Sequence, residues 1–135
     1  DPSTTYYFRI NAQNQFGTVN GSILNFKTDG PAAATAPAAV TNTATAVSTS
    51  GAKLRGSVTP NGAETKYWFE YSTDSLAGSV LPKKTAEVSA GAGVNSKAVD
   101  IDVSALNPKT TYNFRIVAQN NLGTARGESV SFKTK

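Results

Sequence analysis

The chain carries one phrase twice. Residues 4–18 read TTYYFRINAQNQFGT, and residues 110–124 read TTYNFRIVAQNNLGT. Shifted by 106 positions the two ends align without a gap, and 16 of the 28 positions from Asp1 to Thr28 are identical. Tyr6 meets Tyr112, Phe8 meets Phe114, Arg9 meets Arg115, Gly21 meets Gly127, and Phe26-Lys27-Thr28 meets Phe132-Lys133-Thr134. A period of this length is that of one small β-domain, so the chain holds the end of one repeat and then the whole of the next. This divides it into residues 1–29, the closing hairpin of an incomplete repeat; 30–39, a linker; and 40–135, a complete domain. The linker, GPAAATAPAA, has no charge and no apolar period. Its prolines favour an extended path, and few tertiary contacts are expected along it.

Within the complete repeat the apolar period is two. Ala52 to Val58 alternates small or apolar with polar residues, as a half-buried strand does. Pro60-Asn61-Gly62 is a turn. TKYWFEYST, residues 65–73, is rich in aromatics and is the strongest strand pattern in the chain. The stretch from Asp74 to Asn95 is rich in Gly and Ser, with one short strand expected around Thr85 to Val88. Ala98 to Ser104, Thr111 to Gln119 and Val130 to Thr134 complete the set, and Val40 to Val47 is expected as the first strand. Short alternating strands at this spacing predict an all-β sandwich.

Composition narrows the chemistry. There is no Cys, hence no disulfide, thiolate ligand or thiol nucleophile, and no His, the commonest general base and transition-metal ligand. Met is also absent, even at position 1, which predicts a piece of a longer polypeptide. No run of about 18 apolar residues offers a membrane span. The net charge of +4 is scattered, with Lys83-Lys84 the only adjacent basic pair, so a nucleic-acid-binding face is not expected. The Thr, Ser, Ala, Asn and Gly content is that of a β-rich surface or secreted protein.

Leu106 to Tyr112, LNPKTTY, resembles the L-x-P-x-T-x-Y approach to the sixth strand of fibronectin type III domains. There a tyrosine corner pins the strand through its hydroxyl, a role that falls here to Tyr112. AQNNLGT is similar to the hairpin that leaves that strand. LRGSVTPNG followed by YWFEYST resembles the second and third strands of the bacterial branch of the family. The resemblance implies a fibronectin type III or immunoglobulin-like Greek-key sandwich of about seven strands, preceded by a β-hairpin from a second repeat. The family's usual second-strand tryptophan is replaced by Leu54, and the single tryptophan is Trp68 in the third strand. No Arg-Gly-Asp sequence occurs, so integrin-style adhesion gains no support.

Alternation assigns the faces. Tyr67, Phe69 and Tyr71 share one face of the third strand, with Trp68 and Glu70 on the other. In the sixth, Tyr112, Phe114, Ile116 and Ala118 point one way, and Asn113, Arg115 and Val117 the other. The core is expected from the longer apolar sets, with Leu54, Val58, Val99, Ile101, Val103, Leu106 and Phe132. The family topology sets the third and sixth strands side by side. Trp68, Glu70 and Arg115 then form a candidate contact surface, with the guanidinium over an exposed indole. That patch is either a stabilising stack or a contact for a sugar, a neighbouring domain or a partner. Lys53 and Arg55 are expected to pair across strands with Asp100 and Asp102. Two carboxylates are too few for a calcium shell, so no metal is expected. No nucleophile sits in a recognisable setting, so neither catalysis nor a cofactor is expected.

The function expected is that of a non-catalytic structural and interaction module, one repeat of a secreted or surface-exposed bacterial protein. Two alternatives stand beside it: a carbohydrate-binding accessory module of an extracellular enzyme, and a filament or phage-appendage subunit joined by strand complementation. The expected partners are neighbouring repeats or other copies of the chain, with carbohydrate as a further candidate. In the N-terminal hairpin, Tyr6, Phe8, Ile10 and Phe26 form an apolar face that needs cover, and another copy of the chain is the favoured source.

Overall fold

The computed structural model describes residues 1–76 and 82–135. These contain strands and turns and no helix. They form two compact units, Asp1–Ala33 and Ala34–Lys135.

The second unit is the sandwich. Its strands are β5 (Ala38–Thr45), β6 (Ala52–Thr59), β7 (Thr65–Ser72), β8 (Lys83–Lys84), β9 (Val88–Gly91), β10 (Lys97–Val103), β11 (Thr111–Asn120), β12 (Gly123–Arg126) and β13 (Val130–Lys133); β1 to β4 belong to the first unit. One sheet runs β10-β6-β5. The other runs β12-β11-β7-β8, with β13 also on β11 and β9 also on β7, and every pairing is antiparallel. The chain changes sheet between β6 and β7, between β9 and β10, and again between β10 and β11, the crossings that make a Greek key. The second strand pairs with the fifth, and the third with the sixth, as the resemblance implied.

Period-two alternation explains which residues lie between the sheets. Leu54 and Val58 from β6, Val99 and Val103 from β10, Tyr67 and Phe69 from β7, and Tyr112, Phe114, Ile116 and Ala118 from β11 form one buried cluster with Leu106 and Phe132. Ile101 and Tyr71, both expected in the core, are only partly buried against it. Each large side chain removed from water in this way contributes roughly 1.5–3 kcal/mol. The rings meet at favourable offsets: Tyr112 stacks on Phe132 at 5.7 Å, Phe114 meets Phe132 edge-on at 5.8 Å, and Phe69 is 6.2 Å from Phe114.

Three sequence expectations shift. The first strand begins at Ala38, two residues early, and the segment before it is held to the domain. The Thr35 amide donates to the Asn61 carbonyl at 3.0 Å. The Asn61 side-chain amide donates to the Ala36 carbonyl at 2.8 Å, the Asn120 amide to the Thr35 carbonyl at 2.9 Å, and Pro37 is buried. The later part of the 30–39 linker is therefore part of the fold, because two asparagine side chains satisfy its carbonyls. The strand expected at 85–88 is replaced by β8 and β9 on either side of a kink. Thr85 makes the kink: its hydroxyl accepts the Phe69 amide and its own amide donates to the Phe69 carbonyl, both at 3.0 Å. Of the Gly- and Ser-rich stretch, residues 77–81 lie outside the described residues.

The first unit repeats the end of the second. β1 (Thr5–Phe8) pairs with β4 (Leu24–Lys27), and β2 (Asn11–Asn14) with β3 (Gly17–Asn20). Tyr6 lies opposite Phe26 as Tyr112 lies opposite Phe132. The Gly21 amide reaches the Ile10 carbonyl at 2.8 Å, and the Gly127 amide reaches that of Ile116 at 2.9 Å. The Thr28 hydroxyl accepts the Thr4 amide at 3.0 Å, and the Thr134 hydroxyl accepts that of Thr110 at 2.9 Å. Ser3 and Lys109, equivalent by the repeat, both sit at φ 52°. The same local sequence thus makes the same hydrogen bonds twice.

Candidate functional site

Two surfaces hold the residues singled out by the sequence. The first is the outer face of β7 and β11. Register sets Glu70 opposite Arg115 and Trp68 opposite Val117. The guanidinium therefore meets a carboxylate rather than the indole: Arg115 Nε and Nη2 each lie 2.8 Å from Glu70 Oε2. Both side chains are largely shielded, so this pair is screened less than an ordinary surface bridge. The expected stack of Arg115 on Trp68 does not form.

Lys84 takes that place. Its Nζ stands 4.0 Å from the centre of the Trp68 ring and 2.7 Å from Glu87 Oε1, while Lys66 approaches Glu87 Oε2 at 3.6 Å. The Lys84 hydrogen bond, with its charge, holds the Glu87 carboxyl below its ordinary value near 4.5. Trp68 is not exposed as anticipated: only 7% of it is accessible, and Val117 beside it is fully buried. Neither belongs to the main core cluster, so they form a second apolar contact on the far side of the sheet. The Trp68 indole Nε1 is buried without a hydrogen-bond partner among the described residues. Sequence alternation placed Trp68 on the outer face. What it missed is Lys84, which β8 sets opposite Glu70 and so on the same face as Trp68. The Lys83-Lys84 pair was the only available signal.

On the opposite sheet Lys53 collects both acids, with Nζ at 2.8 Å from Asp100 and 3.5 Å from Asp102. The Asp100 hydrogen bond is the largest of the effects that raise the Lys53 ammonium above its ordinary value near 10.5. Arg55 forms no ion pair among the described residues, so the two expected bridges become one three-residue cluster. No group of three or more potential metal-ligating His, Cys, Asp or Glu side chains occurs among the described residues. The carboxylates of Glu70 and Glu87 are each tied to a cation.

At the end of the sandwich the Asn107 amide donates to the Tyr112 hydroxyl at 3.0 Å, the hydrogen bond of a tyrosine corner. The Thr134 hydroxyl closes the same corner by donating to the Asn107 carbonyl at 2.7 Å.

The second surface is the apolar face of the hairpin. Tyr6 is 39% accessible, Phe8 52%, Ile10 77% and Phe26 53%; their counterparts Tyr112, Phe114, Ile116 and Phe132 are 5%, 0%, 0% and 9% accessible. The rings already stand in the arrangement of the buried set. Tyr6 stacks on Phe26 at 5.6 Å and 21°, against 5.7 Å and 20° for Tyr112 on Phe132. Phe8 lies 6.2 Å from Phe26. The Tyr6 hydroxyl accepts from the Asp1 amine, the counterpart of the corner at Asn107.

The fold is of the fibronectin type III and immunoglobulin-like sandwich class. The sensor domain of the anti-sigma factor RsgI4 from Pseudobacteroides cellulosolvens matches 71% of this chain and 91% of its own, at 19% identity and a TM-score of 0.55. The FN1-FN3 domains of chicken CNTN1 match 99% of this chain and 42% of theirs, at 17% identity and a TM-score of 0.52. No family model matches the sequence, and no curated protein does.

Proposed function

We propose that this chain is a non-catalytic structural and interaction module, a repeat of a secreted or surface-exposed bacterial protein that spaces or presents neighbouring domains. The observation that carries this reading is the repeat itself. One 28-residue phrase closes both units and makes the same bonds in each, as a chain built of successive copies of one domain would. The Thr35–Pro37 segment, clamped by Asn61 and Asn120, fits that role because it fixes the path by which the chain enters a repeat. The bacterial assignment rests on the resemblance of LRGSVTPNG and YWFEYST to that branch of the family. No observation favours the carbohydrate-binding alternative: Trp68, its aromatic anchor, is buried and capped by Lys84. Titrating isotope-labelled protein with a panel of soluble glycans tests the choice. The expected result is no shift of the Trp68 or Lys84 signals at millimolar glycan. Saturable shifts confined to β7, β8 and β11 would instead make the module a carbohydrate binder.

A further inference from the structure

We infer that the free edge of β10 is a docking site for an extended segment of another protein, added as a β-strand with cationic side chains on its outer side and aliphatic ones on its inner side. This goes beyond the repeat reading above, which makes no use of that edge.

Three observations carry the inference. The first is the backbone. β10 ends its sheet, with β6 on one flank and no strand on the other among the described residues. All seven of its residues pair with β6 in unbroken register. Alternate residues of such a strand turn their N–H and C=O groups away from the partner. Among the described residues no backbone bond reaches residues 97–103 from any element but β6. The other flanks of the sandwich are blunted in ways that discourage strand addition. β8 has two residues, β9 and β12 have four each, and β9 pairs with β7 through a register shift. β5 is irregular between Asn42 and Thr45 and lies against β11, β12 and β13. Among the described residues of the sandwich, β10 is the flank left long, regular and free of proline, a template for strand addition.

The second observation is the side chain at the centre of the edge. Val99 and Val103 are each 8% accessible, yet Ile101, between them on the same inner row, is only partly buried. A strand along this flank would bring an aliphatic side chain beside Ile101. The third is charge. The side chains of Asp100 and Asp102 are 51% and 73% accessible, and they share one cation, Lys53. Positions opposite them on a new strand favour Lys or Arg. β6 already shows the matching chemistry, with Lys53 opposite Asp102, Arg55 opposite Asp100, and Leu54 opposite Ile101 between them.

The same pattern decides against a second copy of β10. Laid antiparallel over its whole length, that copy would set Asp100 against Asp100 and, on the inner row, Lys97 against Val103. Like charges directly opposite are destabilising.

The test titrates the isotope-labelled 135-residue chain with the end-blocked peptide TVKVKVT, which can set valines beside Val103, Ile101 and Val99 and lysines beside Asp102 and Asp100. The expected result is saturable amide shifts confined to β10, with exchange of its outward amides slowed by about 10-fold or more at saturation. TVEVEVT should leave the spectrum unchanged. TVKPKVT keeps both charges but loses the central N–H, and should bind at least about 10-fold more weakly. Asp102→Lys should bind TVEVKVT better than TVKVKVT, a reversal of preference that misfolding cannot produce. The absence of saturable shifts at millimolar TVKVKVT would overturn the inference. So would equal binding of TVKPKVT, which would mean charge attraction without strand pairing. Outward amides already slow in the free chain would show the edge covered by the chain itself, and shifts that grow with protein concentration would show a second copy there; either result also overturns it.

Discussion

Phe8 and Phe114 occupy one position of the repeat in two environments, and truncating each to alanine isolates what burial contributes. Phe114 is fully buried between Phe69 and Phe132. Its removal loses the transfer free energy of the ring and leaves a cavity that β11, paired on both sides, cannot close. The loss should be about 3–5 kcal/mol. With a urea slope of about 2 kcal/mol/M, a 4 kcal/mol loss lowers the midpoint by about 2 M. Phe8 is half exposed, with its ring 6.2 Å from that of Phe26, so Phe8→Ala should move the sandwich midpoint by less than about 0.3 M. Equilibrium urea unfolding followed by near-ultraviolet circular dichroism of the core aromatics measures both. A Phe114→Ala protein as stable as the parent would mean that the inward face of β11 is misassigned. A Phe8→Ala protein destabilised as much as Phe114→Ala would mean that the hairpin ring is already covered.

Other consequences can be measured on the same protein. Tyr112→Phe should lower stability by roughly 1 kcal/mol through loss of the corner bond to Asn107, read in the same unfolding curves. Gly127→Ala should cost about 1–3 kcal/mol, because a Cβ there would lie 2.4 Å from the Thr41 hydroxyl and 2.7 Å from its amide nitrogen, on a strand that cannot withdraw freely. Hydrogen exchange should find the Thr35 amide protected by its bond to Asn61, and the amides of Ala32 and Ala33 open. Stability should be flat from about pH 6 to 9, since the chain has neither His nor Cys. The Glu87 carboxyl is depressed in the fold, so its contribution holds above the ordinary carboxylate range and fades as pH falls through the folded value. The Lys53 ammonium is raised, so its contribution is complete below about pH 10 and is lost as pH climbs through the folded value. Lys53→Met should remove the alkaline part of that profile.

The fold was legible because its signals are local. Alternation in TKYWFEYST and TTYNFRIVAQN fixed which residues face inward, and the LNPKTTY approach placed the tyrosine corner. The outer-face contacts were not legible. Whether Arg115 meets Trp68 or Glu70 depends on a register of one strand against another, forty-five residues away, which no local pattern encodes. Lys84 reaches Trp68 because β8 pairs it opposite Glu70, on the same face, and a two-residue strand in a polar stretch carries no mark of that register. The anchoring of Thr35 and Ala36 was hidden for a related reason. An Ala/Pro run has nothing to pack with, and its partners are the side-chain amides of Asn61 and Asn120, which read from sequence as turn residues.

That anchoring has a mechanical meaning. The chain enters the sandwich at Pro37, beside Asn61, and runs down β5; it leaves at Lys135, whose amide is bonded to the Ser48 carbonyl just past the other end of the same strand. A pull applied to the two ends is thus directed along β5, a strand of about 26 Å. Ala38 to Asn42 lie in register against Thr59 to Arg55, so their hydrogen bonds to β6 bear such a load side by side. They yield in shear, all together, instead of opening one after another from an end. A string of these units would resist stretching at each bead until one whole strand slips.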